Sequence, residues 1–419
     1  MKKRDNTLVT RRIRLARLAT FAGFGLIGAM MYIWSTSVSA LRQHLGLHGG
    51  QGDMDFGMLA FGIGAGAAAG SLLVGRLIDL YGPKRVVGGA LIAYPLSIIP
   101  LGFATGLGFA LAFGVLLGLL RGATDTAINA HGVQVERFYR RPIMSAFHAC
   151  YSLGGFLFGM LGSYLAGLYP DSAAVPFLLG GSVLLALGVL ISRFMLEQNE
   201  APEDSHVEPL PNAVAAGTAP GVGERRIVLL MAGFGVLLLG GMVGESAVAD
   251  WGQEYLRREL STSTSLAGLA ISLFTGAECF GRLIGDRLAE RFGATRLVCC
   301  SGVCSLLGLL LASLGGSAML AMIGFALFGL GLSCLAPLML SSAGRKDPAN
   351  AGRNIGIVNC IGYSGMLVAP AALSLIVSAF GIGVLLYFPL LLLGLLTLFG
   401  PLLMRDGGSP SQTASPAAA

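Results

Sequence analysis

Five ionisable residues, Arg121, Asp125, His148, Glu245 and Glu278, fall inside long apolar stretches of the chain. Charge in such surroundings is costly and is retained for pairing or for function. Arg121, Asp125 and Asn129 step by four residues and so share one helical face. That spacing suits either a buried ion pair that fixes helix packing or an inner polar cluster that handles a solute or a proton. His148 lies at similar depth on the next helix, as a packing histidine or a member of the same cluster. Glu245 has no basic residue one turn away, so nothing adjacent in sequence fixes its charge, and it is the first candidate to carry a proton. Asp125, with Arg121 four residues back, is held ionised and is the weaker proton carrier. Glu278 reads equally as a satisfied interhelix hydrogen bond or as a cavity group, and is the second candidate.

Other chemistries find no support. Gly23-Phe-Gly25-Leu-Ile-Gly28 matches a dinucleotide fingerprint, but it sits in an apolar run with no preceding strand and is a chance match. The sequence contains no H-E-x-x-H or G-x-S-x-G signature. Its seven cysteines lie in apolar stretches without C-x-x-C spacing, so no metal site is expected. An enzyme and a cofactor are not expected either.

The elements that must position these residues are membrane helices. Charged residues make up 12% of the chain and hydrophobic ones 54%, whereas soluble proteins carry about 25% charge. That is too little charge to coat a water-facing surface of this size. Runs of about 20 apolar residues are needed to cross a bilayer, and twelve can be drawn: 18–41, 57–78, 86–105, 107–130, 143–168, 173–194, 227–250, 266–288, 297–315, 317–341, 354–378 and 380–403. The acidic, aperiodic stretch near Glu197–Glu224 reads as a linker. The expected organisation is a six-helix bundle at 1–196, a linker at 197–226, a second six-helix bundle at 227–404 and a disordered tail at 405–419.

Basic residues give the orientation. Only Arg42, Arg257 and Arg258 fall at the ends opposite the termini, and Arg121 lies within a span; the other 24 of 28 are assigned to the side of both termini. That bias makes both termini cytoplasmic and the protein a multi-pass plasma (inner) membrane protein. It also argues against nucleic acid as a partner.

An internal repeat appears at an offset of 211 residues. Gly70, Leu77, Gly82, Arg85, Gly118 and Gly154 map onto Gly281, Leu288, Gly293, Arg296, Gly329 and Gly365, so the six-helix halves are parallel copies. Glycines at every fourth position (Gly62, Gly66, Gly70; Gly114, Gly118, Gly122) form ridges for close helix approach. The stretch Gly75-Arg-Leu77-Ile-Asp79-Leu-Tyr-Gly82-Pro-Lys84-Arg85 resembles the loop motif of the major facilitator superfamily, with Leu80 where a basic residue is usual. Its degenerate partner runs from Asp286 to Arg296, with Glu290 at the acidic position, and Arg121 falls where a second family motif has its helix-4 arginine. A narrower resemblance, to the branch around the rhizopine-locus membrane protein MosC, rests on Asp125–Asn129, His148–Gly154 and Gly244–Trp251. The Gly-Pro-rich helix-5 signature of drug–proton antiporters is missing.

The resemblance implies an all-α fold of twelve transmembrane helices in two pseudo-symmetric six-helix bundles. It further implies a monomeric secondary transporter working by alternating access. The expected activity is proton-coupled symport of a small polar solute, polyol, sugar-like or amine-bearing. The alternatives are a proton-coupled efflux antiporter and a transporter-like sensor that moves nothing. Asp79 would face Arg353 at the start of helix 11 as a closing latch, with Gly82 and Arg85 in the same loop. Glu290 and Arg296, near Arg140 and Arg141, would form its pseudo-symmetric counterpart. Helices 1, 4, 7 and 10 would line the cavity, so that Glu245 and Trp34, equivalent at offset 211, face each other across it. Trp251 reads as part of an interfacial aromatic belt, and Asp250 as an end cap of helix 7.

Overall fold

Backbone groups in lipid have no water to bond, so apolar runs of this length close their hydrogen bonds within helices. The computed structural model, which describes residues 9–139, 143–197, 200, 222–346 and 351–404, contains twelve helices long and apolar enough to span a membrane. They are α1 (Arg11–His44), α2 (Gly49–Ile78), α3 (Pro83–Phe103), α4 (Leu107–Tyr139), α5 (Ala146–Leu168), α6 (Ala174–Ser192), α7 (Arg225–Glu259), α8 (Thr264–Gly285), α9 (Ala294–Leu314), α10 (Ala318–Leu340), α11 (Cys360–Phe380) and α12 (Ile382–Met404). Large apolar side chains such as Leu72, Leu229, Leu314 and Phe380 are exposed on the outside, the surface that lipid would cover. Most of the linker at 197–226 and the tail at 405–419 lie outside the described residues.

Helix contacts repeat under a shift of six. α1 packs on α5 as α7 packs on α11, α2 on α4 as α8 on α10, and α3 on α6 as α9 on α12. The repeated glycines lie at these equivalent contacts. A Cβ on Gly70 would overlap the Leu119 carbonyl, and one on Gly118 that of Ile63, so the ridges of α2 and α4 meet backbone to backbone. Gly329 meets Phe274 in the α8–α10 pair, Gly154 meets Gly25 in α1–α5, and Gly365 meets Leu239 in α7–α11. Gly82 and Gly293, which end the cognate helices, both take φ of +82°, a conformation open to glycine at little cost.

The halves join along two cognate seams, α2 with α11 and α5 with α8. Gly57 seats the side chain of Ser374, and Gly268 seats that of Ser163; both pairs are related by the same offset of 211. The end of the bundle opposite the termini, termed the far end, is closed by polar contacts between the halves. Gln253 accepts from the Ser39 amide at 3.0 Å, Glu254 accepts from the Ser39 hydroxyl at 2.7 Å, and Arg257 donates to Gln43 at 3.3 Å. Asp53 accepts from Arg42 and, at 2.7 Å, from Arg258.

At the termini end the chain leaving α6 is strapped beneath α1 and α4. Arg12 donates to the carbonyls of Phe194 and Met195 and to Glu200, Gln134 donates to the carbonyls of Glu197 and Glu200, and the Leu196 amide donates to His131. Partial burial acts to raise the Glu200 carboxyl, but the bonds from Arg12 and the Glu197 amide outweigh it and leave the group below its ordinary value.

Candidate functional site

Six helices bring charge together in the interior. Arg121 on α4 lies within electrostatic reach of Tyr94 (α3), Tyr151 (α5), Asp250 (α7) and Asp125. Glu245 on α7 faces Arg282 on α8, Arg121 and Asp250, and both Tyr32 of α1 and Tyr151 feel its charge. Glu278 is 1% exposed and pairs with Arg282 at 2.5 Å, one turn along α8. Arg282 reaches across the seam to the Ser152 hydroxyl of α5. Among the described residues the cluster thus assembles two guanidiniums, four carboxylates and three tyrosines from both halves.

The local fold explains these positions. Gly28 lets α1 approach the Tyr151 carbonyl, while Gly154 admits the Gly25 carbonyl, so Tyr151 is held against α1. In α7 a π-helical turn spans Ala247–Trp251. Such a turn adds one residue to the ladder and re-aims the side chains beyond it, and it recurs at functional positions.

Several sequence expectations change here. Asp250 does not cap an end, because α7 continues through it to Glu259; the Ser246 hydroxyl donates to it at 2.7 Å and the Trp34 indole lies within hydrogen-bonding reach. Trp34, stacked on Phe177 at 6.1 Å, therefore meets Asp250 rather than Glu245. Trp251 belongs to no interfacial belt. It is fully buried at the far end, edge-on to Phe56 at 5.0 Å and 5.2 Å from the Arg42 guanidinium.

Arg121 and Asp125 share a face without forming an ion pair among the described residues, and Asn129 donates to Asp125 at 3.3 Å. His148 lies apart from them, exposed and beside Phe24 at 5.0 Å, with Arg282 as its charged neighbour. Glu245, without a base one turn away in sequence, has two from other helices. Arg282, assigned from sequence to the termini side, is an interior residue. The four-residue step from Glu278 to Arg282 was the available signal, the same one that singled out Arg121 and Asp125. Tyr32, Tyr94 and Tyr151 carried no comparable signal.

In the loop motif, Arg85 is exposed. The side chains of Asp79, Asp286 and Arg353, and all of Arg140 and Arg141, lie outside the described residues. Glu290 and Arg296 are exposed and have no ion-pair partner among the described residues.

The family model described as Major Facilitator Superfamily matches residues 19–249 and 227–419. The uncharacterized transporter y4wD of Sinorhizobium fredii is 30% identical over 361 residues, covering 85% of this chain and 90% of that protein. Membrane protein MosC of Rhizobium meliloti is 28% identical over 363 residues, covering 86% and 83%. Among solved structures, a D-xylose–proton symporter superposes with a TM-score of 0.73 at 13% identity, covering 92% of this chain and 97% of that one; at that identity the likeness concerns the fold.

Proposed function

From the premise that the chain belongs to the major facilitator superfamily, and so is a secondary transporter that moves a solute by alternating access, we propose that it takes up a small polar solute by proton symport. The observation that carries this reading is the state of Glu245. It lies in the membrane interior facing Arg121 and Arg282, yet among the described residues it makes no hydrogen bond and no ion pair within 4.0 Å. Glu245, Asp250 and Glu278 share two guanidiniums there, with Asp125 exposed beside them, and surplus charge in a low-dielectric interior is costly. A proton taken up on Glu245 relieves the surplus, and its release restores it. Glu278, paired with Arg282, is less free to do so. The missing antiporter signature favours uptake over efflux.

The rings of Trp34, Tyr32, Tyr94 and Tyr151 beside these polar groups suit a polyol or sugar-like body, with rings for its apolar faces and carboxylates and hydroxyls for its own. Within the superfamily we assign the chain to the branch around MosC, on the three stretches Asp125–Asn129, His148–Gly154 and Gly244–Trp251. The basic residues at the termini end support cytoplasmic termini in the inner membrane, the monomer being the working unit. The loop motif supports a latch of Asp79 with Arg353, and a counterpart at Glu290 and Arg296.

The test uses purified protein in liposomes and a labelled solute found by thermal-shift screening of sugars, inositols and their derivatives. Glu245→Gln should abolish accumulation driven by a pH gradient while retaining solute exchange, which needs no net proton movement. Accumulation by the variant against a gradient would remove Glu245 from the coupling role and pass it to Glu278.

A further inference from the structure

We propose that the transported solute carries a carboxylate and that Arg121 is its docking group, an assignment that rests on the transporter reading and narrows it. Three interior or buried guanidiniums invite comparison. Arg282 is paired with Glu278 and bonded to Ser152, and Arg42 is paired with Asp53. Arg121 alone of the three makes no hydrogen bond and no ion pair within 4.0 Å among the described residues. Of its acidic neighbours, Asp125 accepts from Asn129 and Asp250 accepts from Ser246, while Glu245 faces it without closing an ion pair.

A guanidinium presents five N–H donors in a planar fork that matches a carboxylate bidentately. Leaving such a fork without a partner in a membrane is costly, and a solute carboxylate would match its paired donors. Tyr94 and Tyr151, from the two helices flanking Arg121, border the same position. They add ring surface and hydroxyls for the rest of a hydroxylated organic acid. A solute ammonium fits poorly, because Arg121 and Arg282 both oppose it.

The assignment also accounts for the direction of coupling. The groups facing Glu245 are Arg121 from α4, Arg282 and Glu278 from α8, Tyr32 from α1, Tyr151 from α5, and Asp250 on its own helix. An ionised Glu245 competes for Arg121 and repels an arriving carboxylate. Neutralised by a proton, it does neither. Proton and organic anion then favour each other's binding, which is the linkage a symporter needs.

The experiment measures ligand-induced thermal stabilisation of purified wild-type, Arg121→Gln, Arg121→Lys and Glu245→Gln protein. The probes are D-gluconate, D-glucuronate and lactate as carboxylates, D-glucose and myo-inositol as neutral solutes, D-glucosamine as a cation, and nitrate as an inorganic anion. At least one carboxylate should stabilise the wild type while the neutral and cationic probes do not. Arg121→Gln should weaken that binding roughly 10- to 150-fold, the loss of hydrogen bonds to a charged group. Arg121→Lys, which keeps the charge and loses the fork, should weaken it less, and Glu245→Gln should bind at least as tightly as the wild type. Stabilisation by nitrate alone would overturn the organic-acid assignment. So would stabilisation by a neutral or amine-bearing probe that survives Arg121→Gln, or the absence of a response to every carboxylate. None of these outcomes touches the symport reading, which stands or falls separately on accumulation by Glu245→Gln.

Discussion

Asp53 is 1% exposed and holds two arginines, Arg42 of α1 and Arg258 at the end of α7. Arg42 is itself 3% exposed and lies over the rings of Phe56, at 4.9 Å, and Trp251. Removing one partner of a buried ion pair costs roughly 3–5 kcal/mol, because the other charge is left stranded. Asp53→Asn should therefore destabilise the closed far end relative to the open one. Faster amide exchange in Thr36–His44 and Trp251–Arg258 would show it, and unchanged protection would remove Asp53 from the gate. Which of two like-spaced pairs closes is not legible from sequence. Two interior pairs step by four on one helix: Glu278–Arg282 closes at 2.5 Å, whereas Arg121 and Asp125 stay apart. Helical spacing brings two side chains within reach, but their rotamers answer to their other neighbours. Tyr94, Tyr151 and Asp250 surround Arg121, while Asn129 engages Asp125 from its own helix.

At the scale of elements, glycine decides where helices touch. Gly118 and Gly122 lie against the carbonyls of Ile63 and Ala67, and a backbone carbonyl, unlike a side chain, has no alternative rotamer. Gly118→Val should cost about 1–3 kcal/mol or more through overpacking, read as a lower melting temperature in detergent. Gly89→Ala, where a Cβ meets open space, should leave it unchanged, and equal effects of the two would contradict backbone contact at the ridge. These ridges were legible before any coordinates, since a four-residue glycine period has few other uses in lipid and the offset of 211 linked cognate contacts. The extent of α7 was not. The apolar pattern ends near Asp250, and the π-helical turn that carries the helix onward leaves no mark in such a pattern. For that reason Trp251 reads from sequence as a surface aromatic although it is fully buried.

For the whole molecule, the far-end contacts between Gln43 and Arg257 and between Ser39 and Glu254 tie the halves in one conformation. In a background without the native cysteines, Gln43→Cys with Arg257→Cys joined by a short bis-maleimide should stop transport in liposomes. Solute binding in detergent should persist, reached from the termini end. Continued transport by the cross-linked protein would mean that the far end need not open. The two six-helix halves could be read from the sequence because a scaffold repeats, whereas the pairing of the interior charges could not, because it does not: Arg121 has Leu332 as its counterpart, and Arg282 has Ser71. The seats of Ser374 on Gly57 and of Ser163 on Gly268 belong to the repeating part, one on each seam. Two matched bearings define an axle, and a rigid half turning on an axle has one degree of freedom. Opening at one end and closure at the other are then a single coordinate, so no signal has to travel between the gates.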